Sequence, residues 1–221
     1  MTGVLIPAFD AAHTLGRLLD DLQPLVAVDN IVVVDDGSTD QTSVTAKHAG
    51  AVVLSHAVNK GKGAALRTGF QYILSSTKYD SIITMDADLQ HDPKDVPKFL
   101  TAWQLGKSDL IVGYRKRLGS GMPVHRILSN AITSALVSAR TGVRIRDSQS
   151  GFRMIGRDVL SSIEVQSDGY EAETEFLIKA ARKGFRISGV PIATIYSGAP
   201  SHMTHWKTTK RFLQVLLKEY R

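Results

Sequence analysis

Residues 81–93, SIITMDADLQHDP, set two carboxylates directly after an apolar run. Asp86 and Asp88 stand either side of Ala87, and Gln90, His91 and Asp92 follow. Mutual repulsion and desolvation both oppose such a pair at the mouth of a buried strand. A divalent cation removes the repulsion, and Mg²⁺ ordinarily takes one or two carboxylates together with phosphate oxygens and water. The spacing therefore suggests metal–diphosphate chemistry. Gln90 could add a neutral oxygen and His91 a nitrogen. A second acidic pair, Asp35-Asp36, runs into Gly37-Ser38. Both clusters also read as turn caps, and the readings are compatible, because a capped turn can present a carboxylate to a ligand.

A basic, glycine-rich stretch, NKGKGAALRTG, spans residues 59–69. Gly61 and Gly63 allow close backbone approach, and a helix opening at Lys62 would offer its N-terminus to an anion. The order and spacing are not those of a P-loop. A tight turn with two solvated lysines is the alternative.

These residues need a scaffold that brings them to one edge. VLIPAF (4–9), NIVVVDD (30–36), AVVLS (51–55), SIITMD (81–86) and DLIVGY (109–114) read as strands. Helical spacing fills the gaps at 11–22, 62–74 and 93–104, the last opened by Pro93. Ser38 is placed to cap the helix after the second strand, with Gln41 at capping-box spacing. Alternating strands and helices imply an α/β fold with a mainly parallel, Rossmann-like sheet flanked by helices. In such a sheet, ligands sit beyond the carboxyl ends of the strands, where both acidic pairs fall. After residue 115 the rhythm changes. A basic loop (115–123) leads to a helix at 125–142 closed by Gly142, a turn and short strand at 147–157, and a helix at 170–184. A strand at 185–195 broken by Pro191 follows, then a helical tail at 205–221.

The bulk numbers set limits. The chain has 221 residues, 43% of them hydrophobic, which supplies a core and excludes a disordered chain. It has no cysteine, which fits a reducing compartment, and its N-terminus lacks a signal-peptide pattern. No apolar run is long enough to span a bilayer. The net charge of +6 favours anionic partners, or marks an ordinary basic protein. No nucleic-acid recognition motif accompanies it, and acidic strand ends would repel phosphate unless metal were bound.

PAFDAAHTL, VVDDGSTDQT, NKGKGAALRTGF, MDADLQHDP and SGFR together resemble an inverting family 2 glycosyltransferase with the GT-A fold. The similarity is to the branch of dolichol-phosphate mannose synthases and bacterial undecaprenyl-phosphate glucosyltransferases, and it runs from residue 3 to about 195. It implies a single glycosyltransferase domain over 1–221. Residues 1–115 would be the nucleotide-sugar half, 116–204 the acceptor-side subregion and 205–221 an amphipathic C-terminal helix.

Residue by residue, the resemblance implies that Pro7, Ala8, Phe9 and Asp10 bind nucleobase and ribose. Phe9, Asp10 and Ala11 depart from the usual Pro-Ala-Tyr-Asn-Glu; Phe9 keeps a stacking face and loses a hydroxyl. Asp35 and Asp36 would lie at the base or ribose, and Lys62 and Gly63 would contact the donor. Asp86 would hold ribose and metal, and Asp88 and Gln90 metal and diphosphate, the metal being Mg²⁺ or Mn²⁺. Arg115 and Arg126, with Ser129, would clamp an acceptor phosphate, a task suited to the planar guanidinium. Lys116 and Arg117 read as a solvated loop. Arg153 would face the donor diphosphate or lock Asp147. Glu173 and Glu175 cannot share a helix face, and Glu173 is the one expected to face the site. His202 and Lys207 fall where relatives carry a basic loop over the donor, though a surface loop is the alternative.

The implied reaction moves a hexose from a GDP-mannose or UDP-glucose type donor to a polyprenyl phosphate. Such a phosphate is largely ionised near neutrality, so it needs no strong base. A hydroxyl acceptor would need one, from Asp147, Glu173 or Glu175. Two further rivals are a nucleotidyltransferase, whose Gly-rich basic N-terminal pattern is missing, and a nucleic-acid binder. The tail sets Trp206, Leu213, Leu216, Leu217 and Tyr220 against Lys207, Lys210, Arg211, Lys218 and Arg221. Such a helix lies on anionic lipid or packs on the sheet; an apolar stripe is ordinarily core, which favours packing. The expected location is cytoplasmic, with peripheral contact at the cytoplasmic membrane face. The lack of transmembrane helices leaves a peripheral enzyme, a soluble acceptor or an isolated catalytic domain open.

Overall fold

The apolar runs pair into one seven-stranded sheet in a computed structural model that describes residues 1–115, 123–195 and 205–220. The strands are β1 Thr2–Ala8, β2 Ile31–Asp35, β3 Val52–Ser55, β4 Ser81–Thr84, β5 Leu110–Arg115, β6 Arg153–Gly156 and β7 Ile187–Ile192. Their order across the sheet is β3-β2-β1-β4-β6-β5-β7. All are parallel except β6, which runs antiparallel between β4 and β5. The alternation of strands and helices carries no trace of that insertion, because β6 arrives from the far side of a long helix. Pro191 sits inside β7 without breaking it. Among the described residues β7 pairs only with β5 and forms the edge, where a missing N–H is harmless.

The helices are α1 Ala12–Leu22, α2 Thr42–His48, α3 Lys62–Ser75, α4 Val96–Gln104, α5 Val124–Thr141, α6 Arg157–Ser162, α7 Ala172–Arg182 and α8 His205–Leu217. Strand alternation divides the core by face. Val4, Ile6, Ile31 and Val33 meet Leu15, Leu18 and Leu22 of α1 and Phe99 of α4 on one side. Leu5, Val32 and Val34 meet Leu66 and Phe70 of α3 and Phe176 of α7 on the other. The tail helix packs: Val215, Leu216 and Tyr220 are buried in that second core, and Arg140 holds the Leu216 carbonyl at 3.1 Å.

One expected cap is replaced. α2 starts at Thr42, and Gln41 makes no side-chain cap. Ser38 instead accepts from the Asp10 amide at 2.9 Å, while its own amide donates to Asp35 at 3.0 Å. The hydroxyl therefore ties the β1 loop to the β2 loop. No described helix is long and apolar enough to cross a membrane.

Candidate active site

The parallel strands β1, β2, β4 and β5 end on one edge, and the chemistry-bearing residues gather there. Asp86 follows β4. Its backbone amide donates to Nδ1 of His91 at 3.3 Å, and Thr84 donates to the Gly151 carbonyl at 2.7 Å. A Cβ on Gly151 would stand 2.7 Å from both Asp86 carboxylate oxygens. The Ser150–Arg153 turn is thus pressed against the Asp86–Asp88 turn, and a side chain at 151 would have to displace the Asp86 carboxylate. The latter turn is held in a left-handed kink at Leu89 (φ 61°), where the Gln90 amide donates to Asp88 at 3.0 Å. Asp10 (φ 46°) is the other non-glycine residue in that region among those described, and it too borders the site.

Lys62 enters from the start of α3. Its Nζ lies 2.5 Å from Asp86 Oδ1 and 2.8 Å from Glu173 Oε1. The ammonium therefore joins two carboxylates from opposite walls. Burial works against ionisation of Asp86, but the Lys62 charge outweighs it and holds the carboxyl down at about 2. Asp88 has no such partner among the described residues, and burial and the Asp86 charge push it above the usual carboxylate range. Burial lowers His91, so its imidazole is neutral at pH 7. Tyr170, 38% exposed, lies with its ring centroid 5.7 Å from Lys62 Nζ; no spacing in the sequence marks it.

Several expected ligand contacts are taken up within the protein. Asp36 is buried and accepts from the Lys60 amide at 3.0 Å, the Gly61 amide at 2.7 Å and His56 Nδ1 at 2.5 Å. It shapes the glycine-rich loop, and His56, unremarked in sequence, braces it through Thr68 at 2.9 Å. Asp35 holds the Ser38 amide. Gly61 (φ 97°) and Gly63 are approached by protein backbone: a Cβ would lie 2.4 Å from the Asp168 carbonyl oxygen at Gly61 and 2.2 Å from the Ser167 oxygen at Gly63. The Gly63 amide donates to the Asp168 carbonyl at 2.7 Å, so this helix N-terminus meets a carbonyl. Phe9, by contrast, is 39% exposed just past β1 beside Ala8. Asp10 accepts from the Thr39 amide at 2.8 Å.

Arg115 closes β5 and forks onto buried Asp147, Nε to Oδ2 at 2.8 Å and Nη2 to Oδ1 at 3.1 Å. Burial opposes Asp147 ionisation, but Arg115 and Asn130 bonds hold its pKa below the usual range. Asn130 belongs to a polar seam missed in the sequence, accepting from Ser134 at 3.1 Å inside α5. Arg126 and Ser129 lie on the first turns of the same helix, Arg126 half-buried and Ser129 exposed. Arg153 does not lock Asp147. Buried at 3% exposure, it donates to the carbonyls of Ser150, Glu173 and Ser148 at 2.8, 2.8 and 3.1 Å, which anchors the start of α7. Glu175 accepts from the Gln166 and Ser167 amides, while Glu173 turns to Lys62. His202, Lys116 and Arg117 lie outside the described residues, as do the side chains of Trp206 and Lys207.

Among the described residues no three acidic or histidine side chains converge as a metal cage. Asp86 and Asp88 fit a cation that shares its coordination with a diphosphate, since Mg²⁺ needs only one or two carboxylates there. Residues 3–163 match the family described as Glycosyl transferase family 2. The chain belongs to that family. A glycosyl transferase of this kind, the undecaprenyl-phosphate mannosyltransferase of Micrococcus luteus, is 30% identical over 86% of this chain and 81% of its own length. The UDP-N-acetylglucosamine–dolichyl-phosphate N-acetylglucosaminyltransferase of Methanococcus voltae is also 30% identical, over 88% and 85%. Glucosyl-3-phosphoglycerate synthase of Mycobacterium tuberculosis, solved with Mn²⁺, UDP-glucose and phosphoglyceric acid, superposes with a TM-score of 0.77. It is 25% identical, and the match covers 98% of this chain and 78% of that one. The sheet flanked by helices is that of GT-A glycosyltransferases, and the chain is a glycosyltransferase.

Proposed function

We propose that this glycosyltransferase moves a hexose, with inversion, from a nucleoside-diphosphate sugar to a polyprenyl phosphate. One observation carries the choice of acceptor. Each carboxylate that could activate a hydroxyl is already engaged: Glu173 by Lys62, Asp147 by Arg115, and Glu175 by two backbone amides and Lys179. His91 is buried and accepts from a backbone amide. With Asp88 assigned to the cation in this reading, no uncommitted base remains among the described residues of the crevice, which suits a nucleophile that arrives ionised, as a phosphate monoester does. Two relatives carry polyprenyl phosphates in their names, which supports the same reading.

In this reading Phe9 stacks on the nucleobase. Asp86 and Asp88, joined by Gln90, would hold a divalent cation on the donor diphosphate, where it would offset charge on the leaving group. Lys62, between Asp86 and Glu173, fixes the height of the Asp86 carboxylate. Arg115, oriented by Asp147, and Arg126 with Ser129 receive the acceptor phosphate.

The test is product formation from labelled GDP-mannose and UDP-glucose with undecaprenyl phosphate, dolichyl phosphate or a free sugar as acceptor. Transfer to a lipid phosphate, lost in Asp88→Asn together with Mn²⁺-dependent thermal stabilisation by the donor, is expected. Ligand at 100 times its Kd stabilises by about 2.7 kcal/mol, or roughly 5–10 °C at this size. Transfer to the free sugar alone would overturn the acceptor assignment.

A further inference from the structure

Lys62 is held unequally by the two walls that it joins. On the β4 side it has one bond, from Nζ to Asp86 Oδ1 at 2.5 Å. On the other side it has several. Nζ lies 2.8 Å from Glu173 Oε1, and the Tyr170 ring centroid, from the same segment, is 5.7 Å from Nζ. The backbone beside it is tied to that segment too, because the Gly63 amide donates to the Asp168 carbonyl at 2.7 Å. Lysine carries three N–H donors on a flexible stem, so it can release one carboxylate and stay on another. The asymmetry says which one it would release.

The two carboxylates also differ in kind. Asp86 belongs with Asp88 to the pair that fits a divalent cation, whereas Glu173 has Lys62 as its ion-pair partner among the described residues. A divalent ion on Asp86 would meet a like charge already bonded to that carboxylate. The bridge is largely dry, so water screens the repulsion little. Ion and ammonium therefore compete for Asp86, and Glu173 with Tyr170 is the place where the displaced ammonium remains satisfied.

We infer that Lys62 is an exchangeable counterion, which neutralises Asp86 when no divalent ion is bound and cedes it to the ion while staying on Glu173. The inference rests on the metal–diphosphate reading of Asp86 and Asp88 and adds to it an order of binding. Displacing the ammonium opposes the ion, and the diphosphate oxygens, which add ligands to the same ion, offset that opposition. Ion and nucleotide therefore bind together, each raising the affinity for the other.

Mn²⁺ binding to the full chain is followed by electron paramagnetic resonance, alone and with UDP or GDP, allowing for the ion that each nucleotide holds in solution. Wild type should bind Mn²⁺ more weakly without nucleotide, by a factor within the range of about 5–150 usual for coupled sites. Lys62→Gln should tighten nucleotide-free binding by about tenfold or more. Glu173→Gln should weaken it while Lys62 is present, because the displaced ammonium loses its holder, and should do much less in the Lys62→Gln background. A Glu173 that acted only through its charge would matter at least as much there, with no ammonium to screen it, and that result overturns the exchange. A crystal structure of the wild-type chain with Mn²⁺ and nucleotide decides even if Lys62→Gln does not fold. Nζ on Glu173 and away from Asp86 is expected; Nζ still on Asp86, or gone from Glu173, overturns the inference. Mn²⁺ bound equally well with and without nucleotide also overturns it and leaves the metal site standing. No Mn²⁺ bound with either nucleotide overturns the metal reading as well.

Discussion

Lys62 Nζ sits between Asp86 and Glu173, at 2.5 and 2.8 Å, and so joins the β4 end to the start of α7. The three side chains are 13%, 26% and 9% exposed, which makes the bridge largely dry. Removing its cation leaves two carboxylates facing each other with little water.

Lys62→Met should therefore cost about 3–5 kcal/mol, the usual penalty for orphaning a buried charge. In thermal unfolding that is a fall of roughly 10 °C. Lys62→Met combined with Glu173→Gln should recover part of the loss, because one of the orphaned charges is gone. A loss under about 1 kcal/mol for the single variant would mean that water already screens the pair.

Gly63→Ala should destabilise strongly, by about 3 kcal/mol or more, because its Cβ would meet the Ser167 carbonyl oxygen at 2.2 Å and the Ala172 Cβ at 2.8 Å. Gly106→Ala is the control: its Cβ meets nothing within 4 Å, and only its φ of 63° opposes the change. That strain is worth about 1 kcal/mol. Equal losses in denaturant unfolding would show that packing of the glycine loop on residues 167–169 contributes little.

The Arg115–Asp147 pair makes stability depend on acid. Asp147 has its folded pKa below the unfolded value of about 3.9, so its stabilisation is complete above that value. It is lost as pH falls through the lower, folded value. Asp147→Asn should thus trail wild type most at neutral pH, and the gap should close below about pH 4. Urea unfolding from pH 7 to pH 3 measures it, and a gap that stays constant would remove the linkage.

Much of this was legible from residue order. The five leading strands, the acidic pairs at their ends and the helix opening at Lys62 follow from apolar runs and their punctuation, whereas Pro93 opens only a single 3-10 turn, Pro93–Asp95, ahead of α4. Asp86 and Asp88 could be singled out because carboxylates after a buried strand need a physical reason. The glycines could not be read fully. Sequence shows that backbone approaches closely at Gly61 and Gly63, but not that the approaching chain is residues 167–168, about a hundred positions away. The internal partners of Asp36 and Arg153 were illegible for the same reason: residue order shows a charge near the site but not the backbone groups that it holds. The seam of Asn130 and Ser134 was hidden because inward polar residues on a helix look like its solvent face.

The antiparallel β6 has a consequence for how the chain comes to be folded. Residues 81–84 pair with 153–156, and 110–112 with 153–155, so β4 and β5 are joined only through a strand made later. A nascent chain that has emerged as far as β5 holds β4 as an open, apolar edge. Contacts of such long sequence separation form slowly, and an unpaired edge invites association with other chains. The wait is set by synthesis: at about 5–20 residues per second, the 41 positions from Arg115 to Gly156 take roughly 2–8 s. Synonymous codons that slow translation across 116–152 would lengthen that exposure and lower the soluble yield without altering a single atom of the finished sheet.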